Sequence, residues 1–144
     1  MYKIPISVLV VIHTPDLQVL LLERADHPGY WQSVTGSQDP GESLQQTAQR
    51  EIIEETGLNA NQFPLIDWQI QNQYTIYQEW RWRYAPGVAQ NTEHVFGLCL
   101  PKTEPITIAP REHLSYIWLP WQQATDKVFS ESNAEAIRLL ARVS

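Results

Sequence analysis

One helix with clearly marked ends, predicted between Ser43 and Gly57, divides a chain whose other apolar segments mostly have the pattern of β-strands. Ser43 is a suitable N-cap because Gln46 follows three residues later, and Gly57 stands where a C-cap glycine is expected. An apolar row for packing runs along the helix at every fourth residue, through Leu44, Ala48 and Ile52. The chain therefore contains a helix that packs by one face onto the rest of the fold.

The β-strand patterns lie on both sides of this helix. They cover Ile4–Ile12, Gln18–Glu23, Trp31–Thr35, Pro64–Gln73, Tyr77–Tyr84, Glu93–Leu100 and Tyr116–Leu119. A second helix is predicted to begin at Ser132, with Glu135 completing a capping box. The residues that it is predicted to bury are Ile137, Leu140 and Ala141. Six or seven strands with two helices predict an α/β (α+β) fold in which a mixed β-sheet carries a helix on each face.

The length and charge of the chain limit the classes of protein to which it can belong. At 144 residues, with no internal repeat, it is expected to form a single domain over residues 1–144. Sixteen acidic residues against ten basic ones give a formal net charge of −6. Because nucleic acids and anionic membranes select basic surfaces, neither is expected as a partner.

The cysteine content and the first apolar segment bear on where the protein acts. Cys99 is the single cysteine, so it has no partner for an internal disulfide, and a reducing, cytoplasmic setting is expected. The apolar segment Ile4–Ile12 is shorter than the about 20 residues needed to cross a bilayer, and no small-residue cleavage site accompanies it. We therefore expect a soluble protein, and the sequence leaves its oligomeric state open.

The central helix carries three carboxylates, Glu51, Glu54 and Glu55, at spacings that place them on one side. Like charges at these spacings repel one another, and they lie near the negative end of the helix dipole. Arg50 is one turn before Glu54 and is predicted to pair with it, which leaves Glu51 and Glu55 free for a hard divalent cation such as Mg²⁺ or Mn²⁺. A bare Glu-x-x-Glu-Glu is more often a solvated acidic surface, so the neighbouring residues decide between the two interpretations.

Those neighbours fit the pattern Gly-x5-Glu-x7-Arg-Glu-U-x-Glu-Glu-x-Gly-U, with U aliphatic, at every fixed position. The positions are Gly36, Glu42, Arg50, Glu51, Ile52, Glu54, Glu55, Gly57 and Leu58. This segment resembles the signature of the Nudix hydrolases, and the order of strands and helices around it is similar to that family's αβα sandwich. The resemblance implies hydrolysis, dependent on divalent metal, of compounds that contain a nucleoside-diphosphate-like group. It also implies roles for the charged side chains: metal binding by Glu51, Glu54 and Glu55, with Glu42 a weaker candidate, and orientation of these glutamates by Arg50.

Five further blocks narrow the resemblance. They are Pro5–Ile12, Tyr30–Ser37, Arg83–Val88, Asn91–Glu93 and Glu112–Leu119. These blocks are similar to the branch of the family that acts on a pterin triphosphate in folate biosynthesis. The resemblance implies removal of pyrophosphate from 7,8-dihydroneopterin triphosphate, leaving the monophosphate. Glu112 then corresponds to a metal-binding glutamate outside the signature, which could also accept a proton from the attacking water. The matching substrate-contact positions are Lys3, Arg24, Thr35, Tyr74, Tyr77 and Ser130.

Chemistry supports part of this assignment. Lys3 and Arg24 are suitable cations for a triphosphate, and Tyr74 and Tyr77 are candidates for stacking on a flat ring. The alternating Trp80, Trp82 and Tyr84 are instead predicted to belong to the core. The four histidines, His13, His27, His94 and His113, lack the spacing of a zinc site.

Two other functions stay open from the sequence. One is a Nudix enzyme that hydrolyses (deoxy)nucleoside triphosphates or dinucleoside polyphosphates. The other is a catalytically silent Nudix domain that senses a nucleotide metabolite, although a sensor has no need of the complete glutamate set.

Overall fold

The computed structural model describes residues 1–143, and the strands within them form one mixed sheet. The seven strands are β1 Ile6–His13, β2 Gln18–Arg24, β3 Trp31–Gln32, β4 Val34–Ser37, β5 Leu65–Thr75, β6 Gln90–Cys99 and β7 His113–Pro120. Strand β1 is central, because it pairs with β6 in parallel and with β2 and β4 antiparallel. Strand β5 extends the sheet beyond β6, while β3 and β7 pair with β2. Strand β4, which has only four residues, therefore lies beside the central strand β1.

Strand β1 is apolar along nearly its whole length because helices cover both faces of the sheet at this strand. Five consecutive side chains, Val8–Ile12, are buried and point alternately to the two faces. A strand buried on both sides reads as a continuous aliphatic run because neither face meets water. The predicted strand here is confirmed, with its start displaced from Ile4 to Ile6.

The central helix, α1 at Leu44–Thr56, has the predicted ends. The Ser43 hydroxyl accepts from the backbone N–H of Gln46, and the Gln46 side chain accepts in return from the backbone N–H of Ser43. Gly57 has a φ of +74°, the left-handed conformation that ends a helix at low cost only for glycine. Ala48 and Ile52 are fully buried, which confirms the predicted packing row.

The remaining helices are α2 at Trp121–Lys127 and α3 at Glu131–Val143. Helix α1 packs on one face of the sheet, against a core that includes Val8, Val10 and Ile12. Helices α2 and α3 pack on the other face, where Ile137 and Leu140 contact a core that includes Leu9 and Val11. The predicted α/β (α+β) fold, a mixed sheet with a helix on each face, is therefore confirmed.

Helix α3 begins one residue earlier than predicted. Its N-cap is Ser130, whose Oγ accepts from the backbone N–H of Asn133 at 3.3 Å, so the predicted capping box at Ser132 is wrong. Glu135 is free of any capping role because its carboxylate pairs with Arg138. Helix α2 was not predicted, since its seven residues are too few to establish a helical apolar period.

The predicted strand Tyr77–Tyr84 is also wrong, because Gln78–Arg83 form a 3₁₀ helix. Backbone bonds close its turns: the Trp80 N–H donates to the Tyr77 carbonyl, and the Tyr84 N–H donates to the Arg81 carbonyl. Trp80 stacks on Tyr77 with ring centroids 5.1 Å apart, which holds the first turn. The period-2 aromatic pattern therefore does not describe a sheet face.

Within residues 1–143, no helix has the length and apolar character required to cross a membrane.

Candidate active site

A cavity of about 840 Å³ is lined by residues of strands β1 and β4 and of the last two turns of α1. Nine side chains predicted as functional line it: Lys3, Arg24, Thr35, Glu51, Glu55, Tyr74, Tyr77, Glu112 and Ser130. The predicted site residues that do not line it are Arg50, Glu54 and the weaker metal candidate Glu42. The fold thus brings most of the predicted set to one place from distant parts of the chain.

Two glutamates of α1 form the acidic end of this cavity. Glu51 and Glu55 are one helical turn apart, and Glu55 is only 2% exposed. Burial, followed by the neighbouring carboxyl groups of Glu51 and Glu112, raises the pKa of Glu55 well above its usual value. Within the described chain, Glu55 Oε1 has no hydrogen-bond partner. Burial and the neighbouring carboxyl groups oppose the negative charge of Glu55, and a cation bound beside it would offset both effects.

Gly36 makes room for the Glu51 carboxylate. A Cβ atom added to Gly36 would lie 2.1 Å from Cδ of Glu51 and 2.4 Å from each of its carboxylate oxygens. Gly36 belongs to β4 and is paired with Val8 of β1, so the backbone at this point cannot move away. The first glycine of the sequence signature is therefore a steric requirement of the carboxylate beside it.

Arg50 does not line the cavity, and its guanidinium makes its shortest contacts with two carboxylates. Its Nε donates to Glu42 at 2.7 Å, and its Nη1 donates to Glu51 at 2.6 Å. Its Nη2 donates to the Ser37 carbonyl of β4 at 2.9 Å. The predicted pairing of Arg50 with Glu54 is confirmed, at 3.4 Å, but the expectation that it leaves Glu51 free is wrong because Glu51 is the closer partner. The loop before α1 explains the difference, since it places Glu42 closer to the guanidinium.

Glu42, the weaker metal candidate, is fully engaged by these contacts and does not line the cavity. Its carboxylate accepts from Arg50, from the Thr47 hydroxyl and from the backbone N–H of Asp39. The hydrogen bond from Arg50 is the largest cause that lowers the pKa of Glu42 to about 2. This glutamate therefore anchors the arginine, and the arginine orients Glu51.

The outer carboxylates differ in position. Glu54 is half exposed beside Arg50, and burial and the charge of Glu51 raise its pKa. Glu112 comes from the loop before β7, where its carbonyl accepts from the backbone N–H of Ala25. The cavity is thus lined by carboxylates from two separate segments, Glu51 and Glu55 from α1 and Glu112 from this loop.

The carboxylates suit a hard divalent cation in their chemistry. As the side chains stand, no three or more His, Cys, Asp or Glu residues among residues 1–143 are arranged around one point as a closed metal site. The observation that supports a cation is the buried Oε1 of Glu55, which has no hydrogen-bond partner within the described chain and is crowded by the carboxyl groups of Glu51 and Glu112. Oxygen donors of this kind fit Mg²⁺ or Mn²⁺, which would relieve the same crowding.

His113 is a neighbour of this cluster for which the sequence predicted no role. Its Nε2 lies 3.5 Å from Glu55 Oε1, and both side chains are buried. Burial is the largest cause that lowers the pKa of His113. The spacing of histidines in the sequence gave no signal here, because β7 alone brings His113 to α1.

Basic side chains line the cavity beyond the carboxylates. Burial, followed by the charge of Arg83, lowers the pKa of Lys3. Arg24 donates to both oxygens of Asp26 at 2.7 Å and lies 4.4 Å above the ring of Trp80. Arg83, which sequence reasoning missed, also reaches Asp26, at 3.2 Å. All three line the cavity, and cations of this kind can compensate anionic groups.

An aromatic wall forms the other side of the cavity. It consists of Tyr77, Trp80, Trp82, Tyr84 and Phe129. Tyr77 stacks on Trp80, and the edge of Phe129 packs against both rings. Trp82 is 73% exposed, so the predicted burial of the Trp80, Trp82 and Tyr84 face is wrong. Because these residues lie on a 3₁₀ helix rather than a strand, they border the cavity instead of the core.

The remaining predicted contacts are hydroxyl groups that already have partners. Thr35 donates to the Val8 carbonyl at 2.9 Å, and the Tyr74 hydroxyl accepts from Asn91 Nδ2 at 3.1 Å. Ser130 caps α3. All line the cavity, and each is fixed in orientation by its own hydrogen bond.

Known proteins resemble this chain over nearly its whole length. The family model described as NUDIX domain matches residues 3–140. The chain is 46% identical over 139 residues to the dihydroneopterin triphosphate diphosphatase of Escherichia coli strain K12, which covers 94% of this chain and 91% of that protein. The Haemophilus influenzae protein with the same name is 40% identical over 140 residues, covering 95% of this chain and 87% of its own length. The solved structure of the E. coli dihydroneopterin triphosphate pyrophosphohydrolase superimposes with a TM-score of 0.93 at 44% identity, covering 100% of this chain and 99% of that one.

Proposed function

This chain belongs to the Nudix family, and from that premise we propose that it hydrolyses 7,8-dihydroneopterin triphosphate to the monophosphate and pyrophosphate. The observation that carries the proposal is one continuous cavity with two chemically different ends. Its acidic end is suited to a metal-bound phosphate chain, and its aromatic wall is suited to a flat heterocycle. The relatives named for this reaction, which match nearly the whole chain, support the same substrate.

Nudix hydrolases generally use divalent metals, and we propose Mg²⁺ here, with Mn²⁺ as the alternative. Glu51, Glu55 and Glu112 would hold the cation, and Glu54 would join them from the outer side of α1. A bound divalent cation offsets phosphate charge and lowers the pKa of a coordinated water. This donor set supports the assignment because it contains a buried carboxylate oxygen with no hydrogen-bond partner in the described chain.

The protein side chains prepare the site before the substrate arrives. Arg50 fixes the Glu51 carboxylate through a bond to one of its oxygens, while Glu42 and the Ser37 carbonyl fix Arg50. Arg50 contacts Glu51 from outside the cavity, so the part of the Glu51 side chain that lines the cavity remains available to a cation. Glu112 lies on a different loop from these groups and can accept the proton of the attacking water.

Basic residues and aromatic rings then position the substrate. Lys3 and Arg24 compensate the charge of the phosphate chain, which an acidic protein must do locally. Tyr77 belongs to the aromatic wall, where a pterin ring can stack, and Tyr74 lines the same cavity. Thr35 and Ser130 also line the cavity.

We further propose that the protein acts in the cytoplasm as a single Nudix domain over residues 1–144, on a small molecule and not on nucleic acid or membrane. The free thiol of Cys99 and the net charge of −6 support this setting.

Product analysis tests the proposed reaction. Dihydroneopterin triphosphate and a panel of nucleoside triphosphates and dinucleoside polyphosphates are supplied with Mg²⁺ or with EDTA. We expect pyrophosphate and dihydroneopterin monophosphate, formed fastest from the pterin and only with metal. A preference for a nucleotide would overturn the substrate, and ligand-dependent melting shifts without any product would indicate a sensor.

Replacement of Glu55 tests the metal site. Glu55→Gln removes the charge with little change in volume, and we expect turnover to fall by at least about 100-fold while the fold persists. Glu135→Gln makes the same chemical change on the exposed face of α3 and is expected to leave turnover unchanged. Unchanged activity in Glu55→Gln would contradict the assigned role.

A further inference from the structure

Besides Glu51 and Glu55, a third buried glutamate lines the cavity, and it is not among the residues proposed to hold the cation. Glu93 of β6 is 4% exposed, and its side chain borders the cavity. Within residues 1–143, its Oε1 has no hydrogen-bond partner. Among the described residues, the groups that contact or approach the carboxyl are the neutral side chains of Ser132, Asn72 and Tyr74. An unpaired acceptor costs folding free energy, which indicates that a ligand satisfies it.

The strand register places Glu93 apart from the catalytic carboxylates. Glu93 is opposite Ser7 of β1, and Ser7 is opposite Ser37 of β4, the strand that lies against Glu51 through Gly36. Neighbouring strands are about 4.8 Å apart, so about 10 Å separates the backbone at Glu93 from β4. This distance suits a ligand that has its phosphates at one end and its ring at the other.

We propose that Glu93 recognises the amino-lactam edge of the substrate ring, the ring N–H and the exocyclic amino group that point the same way in a pterin. This inference rests on the proposed function and assigns its ring specificity. Each carboxylate oxygen has two acceptor sites, so the contacts to Ser132 and Asn72 leave room for both ring donors. Guanine has the same edge, whereas adenine and the pyrimidines lack it.

The surrounding residues place a ring in reach of this carboxylate. The exposed Trp82 and the stacked Trp80 and Tyr77 border the same cavity as Glu93. A flat ring between this wall and Glu93 is stacked on its face and hydrogen-bonded along its edge. The two contacts differ in what they select, because stacking accepts any aromatic ring and the carboxylate accepts only a donor pair.

A structural role is the competing explanation, since Glu93 also joins β5 to the first turn of α3 through Asn72 and Ser132. Glu93→Gln separates the two roles. The amide has the same size and still contacts both neighbours, but it presents a donor where the ring also has donors. A purely structural Glu93 predicts a change in melting temperature with no change in ring preference.

Binding of phosphate-free rings gives the most direct test. Neopterin and the corresponding lumazine, in which oxygen replaces the exocyclic amino group, are titrated in EDTA while tryptophan fluorescence is recorded. We expect the wild type to favour neopterin by about 10- to 100-fold, the range for a hydrogen bond to a charged group, and Glu93→Gln to reduce this ratio to near one. The control Glu135→Gln is expected to keep the wild-type ratio.

Turnover separates this inference from the proposed reaction. With dihydroneopterin triphosphate, we expect Glu93→Gln to raise KM by about 10- to 100-fold with little change in kcat, and to leave KM for ATP unchanged. If the wild type hydrolyses the pterin and Glu93→Gln keeps its ring preference, the inference is wrong and the reaction stands. If the wild type favours a nucleotide while Glu93→Gln still abolishes neopterin preference, the reaction is wrong and the inference stands.

A second variant covers the case in which Glu93→Gln does not fold. Glu93→Asp keeps the charge and shortens the side chain by one methylene, so an intermediate neopterin preference is expected. A wild-type preference in Glu93→Asp, in a folded protein, would overturn the inference.

Discussion

Gly36 shows at the scale of one residue how backbone and catalytic group constrain each other. The Glu51 carboxylate occupies the space that any larger side chain at position 36 would need. Pairing of β4 with β1 fixes the backbone on one side, and Arg50 fixes the carboxylate on the other. The flexible end of Glu51 is therefore the part that must move when a methyl group is added.

We expect Gly36→Ala to fold and to lose activity. The displaced carboxylate tip relieves most of the overlap, so the free energy of unfolding should fall by about 1–2 kcal/mol. A catalytic group moved by about 1 Å can cost 100-fold in rate, and we expect kcat to fall by about that factor. Melting curves and initial rates measured on the same sample check both values, and full activity would contradict the steric role.

Glu42 gives a pH-dependent prediction at the same scale. Its pKa is about 2 in the folded protein against a usual value of 4.5, because Arg50 favours the charged form. The stabilisation is therefore present above about pH 4.5 and is lost as the pH falls toward 2. We expect Glu42→Gln to lower the free energy of unfolding by about 1–2 kcal/mol at neutral pH and by less at about pH 3. Urea unfolding at the two pH values checks this, and a pH-independent difference would contradict it.

The 3₁₀ helix at Gln78–Arg83 is the element that gives the cavity its aromatic wall. Trp80 is held between Tyr77 and the guanidinium of Arg24, while Trp82 projects with 73% of its surface exposed. An exposed tryptophan contributes little to folding, and its position on the cavity rim suits ring binding.

We expect Trp82→Ala to raise KM for the pterin substrate by about 10-fold, which is the loss of one ring stack. The free energy of unfolding should change by less than about 0.5 kcal/mol because the side chain is exposed. Trp82→Phe keeps a ring and is the matched control, with a KM near that of the wild type. Steady-state kinetics distinguish the two variants, and equal KM values for both would remove Trp82 from the binding wall.

The elements also show which features a sequence can predict. The ends of α1 depend on Ser43, Gln46 and Gly57, which act within a few residues, so their prediction is confirmed. Strand β1 was predicted because burial on both faces leaves an uninterrupted apolar pattern, and β6 was predicted from Glu93, three residues after its observed start at Gln90. The fold class followed from these local signals alone.

Site contacts between distant segments were harder to predict. Arg50 pairs with Glu42 because a loop returns toward the helix, and no local spacing reports that path. Glu93 reads like any polar residue on a strand, since its burial depends on α3 and β5. Trp80 and Trp82 alternate as in a strand, but a 3₁₀ helix replaces that strand.

The molecule as a whole combines an acidic net charge with a cavity lined by both signs of charge. The carboxylates Glu51, Glu55 and Glu112 and the bases Lys3, Arg24 and Arg83 all line it. This combination lets a protein of net charge −6 bind an anionic ligand together with its cation. Without the cation, the crowded carboxylates oppose folding, since burial disfavours their charged forms.

Metal binding is therefore expected to stabilise the whole molecule. At a Mg²⁺ concentration of 100 times Kd, linkage gives about 2.7 kcal/mol, or a rise of roughly 10 °C in Tm.

Glu55→Gln removes one buried charge, so in EDTA and above neutral pH its Tm should equal or exceed that of the wild type, while its Mg²⁺-dependent rise should be lost. Glu135→Gln should retain the full rise, because its carboxylate lies outside the cavity. Differential scanning calorimetry of the three proteins, with Mg²⁺ and with EDTA, checks these expectations. A full Mg²⁺-dependent rise in Glu55→Gln would place the cation elsewhere, since the crowding that it relieves centres on this one buried carboxylate.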